Sequence, residues 1–317
     1  MAIKKILITG GAGFIGTHLA ERLCKEYKVV LLDNLRRNSL STIPDLLNNS
    51  NIEFVHGDIL EKTNLTDVIK GCNIVIHLAA VAGVSSYYKE PYNTLHVNIC
   101  GTLNVLECCK NAGVEKVFDV STSEVYGMDA YDVNEGSKHE IGPINDLRWT
   151  YAVSKLASEH LTLRYGEKFG FKAFTLRPFN IYGPRQTGEG AISNFMKAVV
   201  KGEPIIIYGN GTAIRAWCYI SDCIDAFEAV IKNENLKSGT FNIGNPRETY
   251  STVGLARLIC QMINDKVPIM FKEVSRTEIC VRVPNIDSAR HLIDFEPKVT
   301  LPMGLKYTYR WFKEYMA

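Results

Sequence analysis

The segment Thr9-Gly10-Gly11-Ala12-Gly13-Phe14-Ile15-Gly16 leaves this chain little freedom in how it folds. It follows an apolar, β-branched run at Lys5–Thr9 and opens a stretch with helical spacing. Glycines spaced Gly-x-x-Gly-x-x-Gly suit one arrangement. Gly10 permits a tight turn, Gly13 lets the backbone approach a pyrophosphate, and Gly16 lets a helix pack closely on its strand. The helix start then offers free N–H groups and a positive dipole end to the anion. A purely structural glycine turn is the alternative. The position between strand and helix, with a second strand ending in Asp33, favours the phosphate loop.

The rest of the first half alternates short strand-like runs with amphipathic stretches. Strands are expected at Lys5–Thr9, Lys28–Asp33, Ile52–His56, Ile74–Leu78, Lys116–Ser121 and Phe171–Arg177. Helices are expected at His18–Glu26, Leu65–Lys70, Leu95–Asn111 and Tyr151–Phe169. This alternation predicts an α/β fold, a doubly wound parallel sheet with right-handed crossovers. After Pro178 turn formers cluster, as at Tyr182-Gly183-Pro184 and Gly244-Asn245-Pro246. Helices are expected there at Ala191–Lys201, Ser221–Lys232 and Thr252–Ile263. The predicted division is a dinucleotide-binding domain over 1–180 and a smaller C-terminal α/β lobe over 181–317. One strand, Gly239–Ile243, is expected to return to the main sheet.

Composition removes other classes. The 317 residues carry a formal net charge of +2, without the basic surplus of a nucleic-acid binder. With 46% hydrophobic residues the chain is not of the disordered kind. The longest apolar run, Ile74 to Val84, is broken by His77 and falls far short of the roughly 20 residues of a spanning helix. Lys4-Lys5 before Ile6-Leu7-Ile8 has the look of a secretory signal, but Thr9-Gly10-Gly11 interrupts it and no cleavage pattern follows. The nine cysteines form no Cys-x-x-Cys pair, so no metal site is expected. Free thiols in a reducing cytoplasm are the plain reading. The helix at 95–111 has two apolar faces, Leu95, Ile99, Leu103 and Leu106 on one and Val97, Gly101, Val105 and Cys108 on the other. The second face needs a cover, either a neighbouring helix or a second copy of the chain. A homodimer through helices 95–111 and 151–169 is the expectation.

Asp33 ends the second strand, where the ribose of an adenosine would rest. A carboxylate there accepts hydrogen bonds from the ribose diol and repels a 2′-phosphate, so NAD is expected over NADP. Arg36 and Arg37 could offset that repulsion. Asp58, after the third strand, could meet the adenine edge or cap the next turn. Leu78, Ala79 and Ala80 close the fourth strand with room for the cofactor. Phe14, Ile15, Asn34, Ile59 and Asn98 join these in the expected cofactor set.

Tyr151-Ala152-Val153-Ser154-Lys155 places a phenol and an ammonium one helical turn apart on one face. A nearby ammonium favours the phenolate, so Tyr151 is expected as a general base for a sugar or alcohol hydroxyl, its pKa lowered toward neutrality. The spacing alone is weak, since Tyr309-x-x-x-Lys313 repeats it in a C-terminal helix far from any strand end. The first copy follows a strand that ends in Ser121-Thr122-Ser123-Glu124, and strand ends are where sites form in such sheets.

These motifs, with Ser121-Thr122-Ser123-Glu124-Val125-Tyr126-Gly127 and Arg177-Pro178-Phe179-Asn180-Ile181-Tyr182-Gly183-Pro184-Arg185, closely resemble the extended short-chain dehydrogenase/reductases. Within them the chain looks like the NAD-dependent nucleotide-sugar epimerase/dehydratase family, over essentially its whole length. The resemblance implies a Rossmann-type sheet, NAD as cofactor and a nucleotide-diphosphate sugar as substrate. It implies Tyr151 as the base and Lys155 as the holder of the nicotinamide ribose. It also implies Thr122 on the sugar's C4 hydroxyl, Asn180 on the sugar or diphosphate, and Arg215 on the diphosphate. Asn242 and Arg282 are weaker candidates for the nucleotide end. A surface cation is the bland alternative for Arg215.

The shared chemistry oxidises C4 of a hexose, after which dehydration, decarboxylation and 4-epimerisation diverge. Glu124 separates them: similar epimerases carry a small or hydroxyl residue there, whereas dehydratases and decarboxylases carry Glu. Ser123 departs from the Asp of dTDP-glucose dehydratases. Thr122-Ser123-Glu124 is similar to GDP-mannose dehydratases and UDP-glucuronate decarboxylases. The stretch 142–151 resembles the decarboxylase of the 4-amino-arabinose pathway. Enzymes that form UDP-xylose tend to carry Gly-Arg before Ser-Asn-Phe, and here Gly190-Ala191-Ile192 precedes Ser193, although Arg185 could substitute. The expectation leans to a 4,6-dehydratase or decarboxylase, with 4-epimerase as the alternative and a non-catalytic cofactor sensor as a remote one. A solvated loop carboxylate is the bland reading of Glu124.

Overall fold

The computed structural model describes residues 3–273 and 277–316. The chain divides into two compact units. The first comprises Met1–Val125, Ile141–Arg177 and Phe227–Phe241, and the second Tyr126–Glu140, Pro178–Ala226 and Asn242–Ala317.

In chain order the strands β1 (Lys5–Thr9), β2 (Lys28–Asp33), β3 (Ile52–His56), β4 (Ile74–His77) and β5 (Lys116–Val120) belong to the first unit. They are followed by β6 (Asp129–Val133), β7 (Lys172–Pro178), β8 (Ile181–Tyr182), β9 (Ile205–Tyr208) and β10 (Ile214–Ala216). The last five are β11 (Cys218–Tyr219), β12 (Gly239–Ile243), β13 (Thr249–Ser251), β14 (Ile269–Lys272) and β15 (Val281–Pro284). The α-helices α1 (Phe14–Leu23), α2 (Lys62–Ile69), α3 (Val84–Lys89), α4 (Pro91–Ala112) and α5 (Thr150–Phe169) all lie in the first unit. The remainder are α6 (Ala191–Lys201), α7 (Ile220–Lys232), α8 (Thr252–Ile263), α9 (Asp287–Ile293) and α10 (Leu301–Tyr315).

The first unit is built on a seven-stranded sheet of order β12-β7-β5-β4-β1-β2-β3, and every register from β3 to β7 is parallel. Strand order reverses at β1, between β2 and β4, which is the switch point where such sheets bind ligands. On one face Leu7, Val75, Val117 and Ala173 stand in register and pack with Leu65 and Ile69 of α2 and Val105 and Cys109 of α4. Period-2 alternation in the strands and 3.6-residue spacing in the helices meet in this layer. Two residues further along the same strands, the row changes to Thr9, His77, Asp119 and Thr175. The parallel sheet is thus apolar at mid-height and polar toward the strand ends.

Three differences from the sequence reading have physical causes. α1 begins at Phe14 rather than His18, because Gly13 itself serves as its N-cap. α3 was not anticipated; six residues opened by Gly83 at φ 98 carry too little periodicity to be seen. The second unit is richer in strands than expected. It holds a four-stranded sheet of order β13-β10-β15-β6 and two parallel pairs, β11 with β8 and β14 with β9. Strands of two to five residues give no pattern that periodicity can resolve.

All nine cysteines are free thiols. Among the described residues no helix is long and apolar enough to cross a membrane. No group of three or more His, Cys, Asp or Glu could hold a metal ion there.

Candidate active site

The glycine loop takes the form its spacing implied. Gly10 lies at φ +69, and a Cβ there would sit 2.7 Å from the backbone nitrogen of Ala79 on the neighbouring strand end. At Gly16 a Cβ would come within 2.6 Å of the Gly10 carbonyl oxygen, so only glycine allows α1 to start this close to the turn. Gly13 meets nothing but the Gly10 oxygen, at 3.1 Å, and its other side is open. α1 has no capping side chain and no acidic residue in its first turn, so its leading N–H groups and dipole remain available to an anion. Phe14 and Ile15 are half-buried in that turn.

Asp33 is buried at the end of β2, where its two carboxylate oxygens accept the N–H groups of Ala12 at 3.0 Å and Leu35 at 2.7 Å. Burial pushes its carboxyl upward in pKa, and these two hydrogen bonds oppose the shift. The same bonds tie the ribose end to the glycine loop. Arg36 is paired to Glu90 at 2.8 Å, and Arg37 donates to the Ala82 carbonyl and, at 3.3 Å, to Ser86. Arg36 is thus held by Glu90 and Arg37 by the 82–86 segment. Asp58 accepts the Leu60 N–H at 2.9 Å and the Asn34 amide at 2.9 Å, so it does cap the turn and also fixes Asn34. Ile59 is buried against α4 at Gly101, where a Cβ would lie 2.3 Å from its Cδ1. The N–H of Leu78 reaches the Thr9 carbonyl at 3.0 Å, and that of Ala79 reaches the Thr9 hydroxyl at 3.4 Å. Asn98, fully buried on α4, clamps Val81 through both backbone groups, at 2.7 and 3.1 Å, and donates to Ser154 at 2.9 Å. It shapes the loop after β4 rather than presenting its amide to a ligand. The open face at Gly13, the uncapped helix start and the Asp33 carboxylate together fit an NAD.

Two strands away on the same carboxyl edge of the sheet, α5 and the segment after β5 bring Tyr151, Lys155, Thr122, Ser123 and Glu124 into one region. The Thr122 hydroxyl is hydrogen-bonded to Tyr151 and also accepts the Glu124 N–H at 3.2 Å. Ser123 is buried beside it. The expected lowering of the Tyr151 pKa is corrected by the structure. Burial pushes the phenol well up, and the carboxylates of Glu124 and Asp119 add to this; Arg37 and the Thr122 hydrogen bond oppose it. The Lys155 ammonium itself lies 3.1 Å from Asp119 Oδ1.

Two residues not singled out from the sequence complete this region. Tyr87 of α3 stacks on Tyr151 with centroids 6.2 Å apart and an interplanar angle of 7°. Arg148, buried in the turn before α5, donates to the Tyr87 hydroxyl, lies 5.5 Å from that ring's centroid, and pairs with Glu124 at 2.6 Å. Asp146 fixes the turn by accepting the Arg148 N–H at 2.9 Å. Glu124 is therefore held in a charge pair, not solvated in a loop. The only sequence signal was an arginine three positions before Tyr151.

The remaining candidates belong to the second unit. Arg215 on β10 and Arg282 on β15 are register partners, with Tyr250 of β13 opposite Arg215. Arg215 donates to the carbonyls of Ile214 at 2.8 Å and Ile279 at 2.9 Å, and Arg282 to that of Gly127 at 2.8 Å. Two guanidinium groups in one register suit a diphosphate. Asn180, at φ 44, donates to the Ala216 carbonyl at 2.9 Å, and Arg185 sits at φ 68. Asn242 is fully buried, donating to the carbonyls of Val133 and Asn285 and accepting from the Tyr126 hydroxyl at 2.8 Å. Its amide is committed within the unit. Tyr309 and Lys313 lie on α10, also in this unit.

A sheet that reverses at a glycine loop, with Tyr and Lys one turn apart beyond its strand ends, defines an NAD-dependent enzyme of the short-chain dehydrogenase/reductase type. The chain belongs to the NAD dependent epimerase/dehydratase family, whose pattern matches residues 6–244. It is 34% identical over 321 residues to UDP-N-acetyl-alpha-D-glucosaminuronate decarboxylase of Bacillus cytotoxicus, covering 98% of each chain. It is 33% identical to UDP-glucuronic acid decarboxylase 1 of Xenopus tropicalis, over 98% of this chain and 72% of that one. Among solved structures, UDP-glucuronic acid 4-epimerase from Bacillus cereus, in complex with UDP-glucuronic acid and NAD, superposes with a TM-score of 0.91. That likeness covers 98% of this chain and 99% of the other at 32% identity.

Proposed function

We propose that this protein decarboxylates a UDP-activated hexuronic acid through a 4-keto intermediate. The observation that carries the reading is Glu124, held by Arg148 beside Thr122 and Tyr151, in a chain whose relatives include UDP-sugar decarboxylases. NAD, when bound, accepts a hydride from the sugar and later returns it. Tyr151 takes the proton of the C4 hydroxyl, which Thr122 orients, while Lys155 holds the ribose and Ser123 lies close by. A 4-ketone makes the uronic acid a β-keto acid, so its C5–carboxylate bond breaks with release of carbon dioxide and the electron pair enters the ketone as an enolate. Glu124 is the group proposed to assist that stage. The enolate takes a proton at C5, and reduction at C4 with proton return from Tyr151 leaves a UDP-pentose. In the second unit Asn180, Arg185, Arg215 and Arg282 are the proposed contacts of the sugar and diphosphate. Asn242, by contrast, supports the strand that carries it.

A second reading, 4-epimerisation of a UDP-hexuronate, is supported by the likeness to the Bacillus cereus epimerase. Mass spectrometry of products from UDP-glucuronate, UDP-N-acetylglucosaminuronate and neutral UDP-hexoses decides among them. Loss of carbon dioxide is the expected result. Unchanged mass with a new C4 configuration establishes the second reading, and loss of water from a neutral hexose establishes dehydration.

The working form is proposed to be a cytoplasmic homodimer. Within one chain Leu95, Ile99 and Leu103 of α4 are only half-buried, whereas Gly101, Val105 and Cys108 lie in the core. A second copy laid on α4 and α5 would cover the former. Light scattering should give twice the chain mass; a monomer at micromolar concentration removes this part of the reading.

A further inference from the structure

The polar row Thr9–His77–Asp119–Thr175 contains one group that the proposed chemistry does not use. Asp119 is fully buried near the carboxyl end of β5, between Phe118 and Val120, in a row whose other members, Thr9, His77 and Thr175, are polar but uncharged. One of its oxygens meets the Lys155 ammonium at 3.1 Å, and the other, Oδ2, has no hydrogen-bond partner. Burying a carboxylate is costly even when it is paired, and an unsatisfied oxygen adds to that penalty. A site that needed only packing would be met by an apolar residue.

We propose that Asp119 is a positioning residue of the reaction centre: its carboxylate holds one N–H of the Lys155 ammonium inside the sheet-facing layer, and so sets how much positive charge reaches Tyr151. An ammonium has three donors, and fixing one of them orients the other two. The anion also opposes the cation's field at the phenol.

The other charged groups around this pair have partners of their own. On α5, Glu159 is compensated by Arg177 of β7, at 2.9 and 2.6 Å, and by the Ser121 hydroxyl. His77 of β4 is held between Thr9 at 2.7 Å and Thr102 at 3.0 Å, and burial pushes its pKa down to about 3. α4 reaches the row through the uncharged Asn98 and Thr102. Thr175 is satisfied by Thr240 at 2.7 Å. Beyond β5, Glu124 is paired with Arg148, and Arg37 approaches Tyr151 from the loop after β2. Burial raises the Asp119 carboxyl in pKa, Lys155 pulls it back, and Glu159 adds to the rise.

The inference rests on Tyr151 and Lys155 being the reacting pair, and its test needs no sugar nucleotide. In the NAD-loaded protein, tyrosinate absorbance recorded against the Tyr151→Phe variant isolates the Tyr151 titration. The same difference is then taken in the Asp119→Asn background. Removing the anion should lower the Tyr151 midpoint by about one pH unit. An unchanged or raised midpoint overturns the proposal. Should Asp119→Asn fail to fold, the ¹³C carboxyl signal of Asp119 in the unsubstituted protein gives the answer: a step at the Tyr151 midpoint supports it and a flat response overturns it. If no UDP-sugar is turned over but the midpoint moves, the proposed function fails and this inference stands.

Discussion

Two stretches of one sheet edge, a dinucleotide end and a reaction end, meet their tasks by different means. At β1 and β2 the dinucleotide end is a backbone construction: Gly10 and Gly16 make room that any Cβ would fill, and Asp33 is fastened through main-chain N–H groups. At β5 the reaction end is a side-chain construction, in which Tyr87, Arg148, Glu124, Tyr151, Lys155 and Asp119 are drawn from three stretches of the chain. Backbone sites are robust to the identity of most neighbours and intolerant of a single methyl. Side-chain sites are the reverse, since each member can be exchanged without a clash but leaves a charge or ring unsupported.

The largest effect should come from Tyr151→Phe, which removes one hydroxyl and no packing. Product formation is expected to fall about a thousandfold, within the range for loss of a positioned proton acceptor, while NAD still copurifies. Turnover near that of the unsubstituted protein would show that the phenol is not the base. Arg148→Met comes next. It leaves Glu124 and Tyr87 in place without their common partner, and kcat should drop about a hundredfold by misplacement of the reacting groups. NAD occupancy should not change. If NAD is lost and kcat per loaded site is kept, the two ends are not separable in the way described.

What could be read beforehand divides along the same line. The glycine spacing, Asp33 and the Tyr-x-x-x-Lys turn are short local patterns whose meaning does not depend on distant residues. These patterns, and the parallel character of the sheet, were legible in the sequence. Arg148 and Tyr87 carry no local signature; their roles arise only when α3 and the turn before α5 are brought together by folding. The partners of Asn98 and Asn242 were hidden for the same reason, because an amide looks alike in sequence whether it faces a ligand or clamps a loop. The sign of the Tyr151 shift was misread because the spacing to Lys155 showed the cation but neither the burial of the phenol nor the carboxylates of Glu124 and Asp119.

At the backbone end, Gly10→Ala should weaken NAD binding by about 2 kcal/mol, since the new Cβ strains a left-handed turn and collides with the Ala79 nitrogen. Calorimetric titration with NAD measures this. Tyr151 should titrate as before in whatever fraction is loaded. A substitution tolerated at Gly10 would mean that the close approach of the β4 end to the glycine loop is dispensable.

The smallest expected effect concerns His77, which lies in the row shared by both ends. It accepts no ligand; Thr9 of β1 and Thr102 of α4 hold its two ring nitrogens. Burial, aided by the Lys155 charge, lowers its pKa from 6.5 to about 3. A depressed histidine pKa means that, between these values, the unfolded chain binds a proton that the folded one refuses. Stability is therefore present above pH 6.5 and is lost as pH falls toward 3. By linkage, the step from pH 7 to 5.5 should cost the protein about 1 kcal/mol through this residue. Denaturant unfolding at the two pH values, compared with His77→Gln, isolates the contribution, because the amide occupies the same place without titrating. If both proteins lose the same stability over that interval, His77 is protonated in the folded state. The polar row would then carry a charge beside Lys155, and the balance attributed to Asp119 would have to be shared with it.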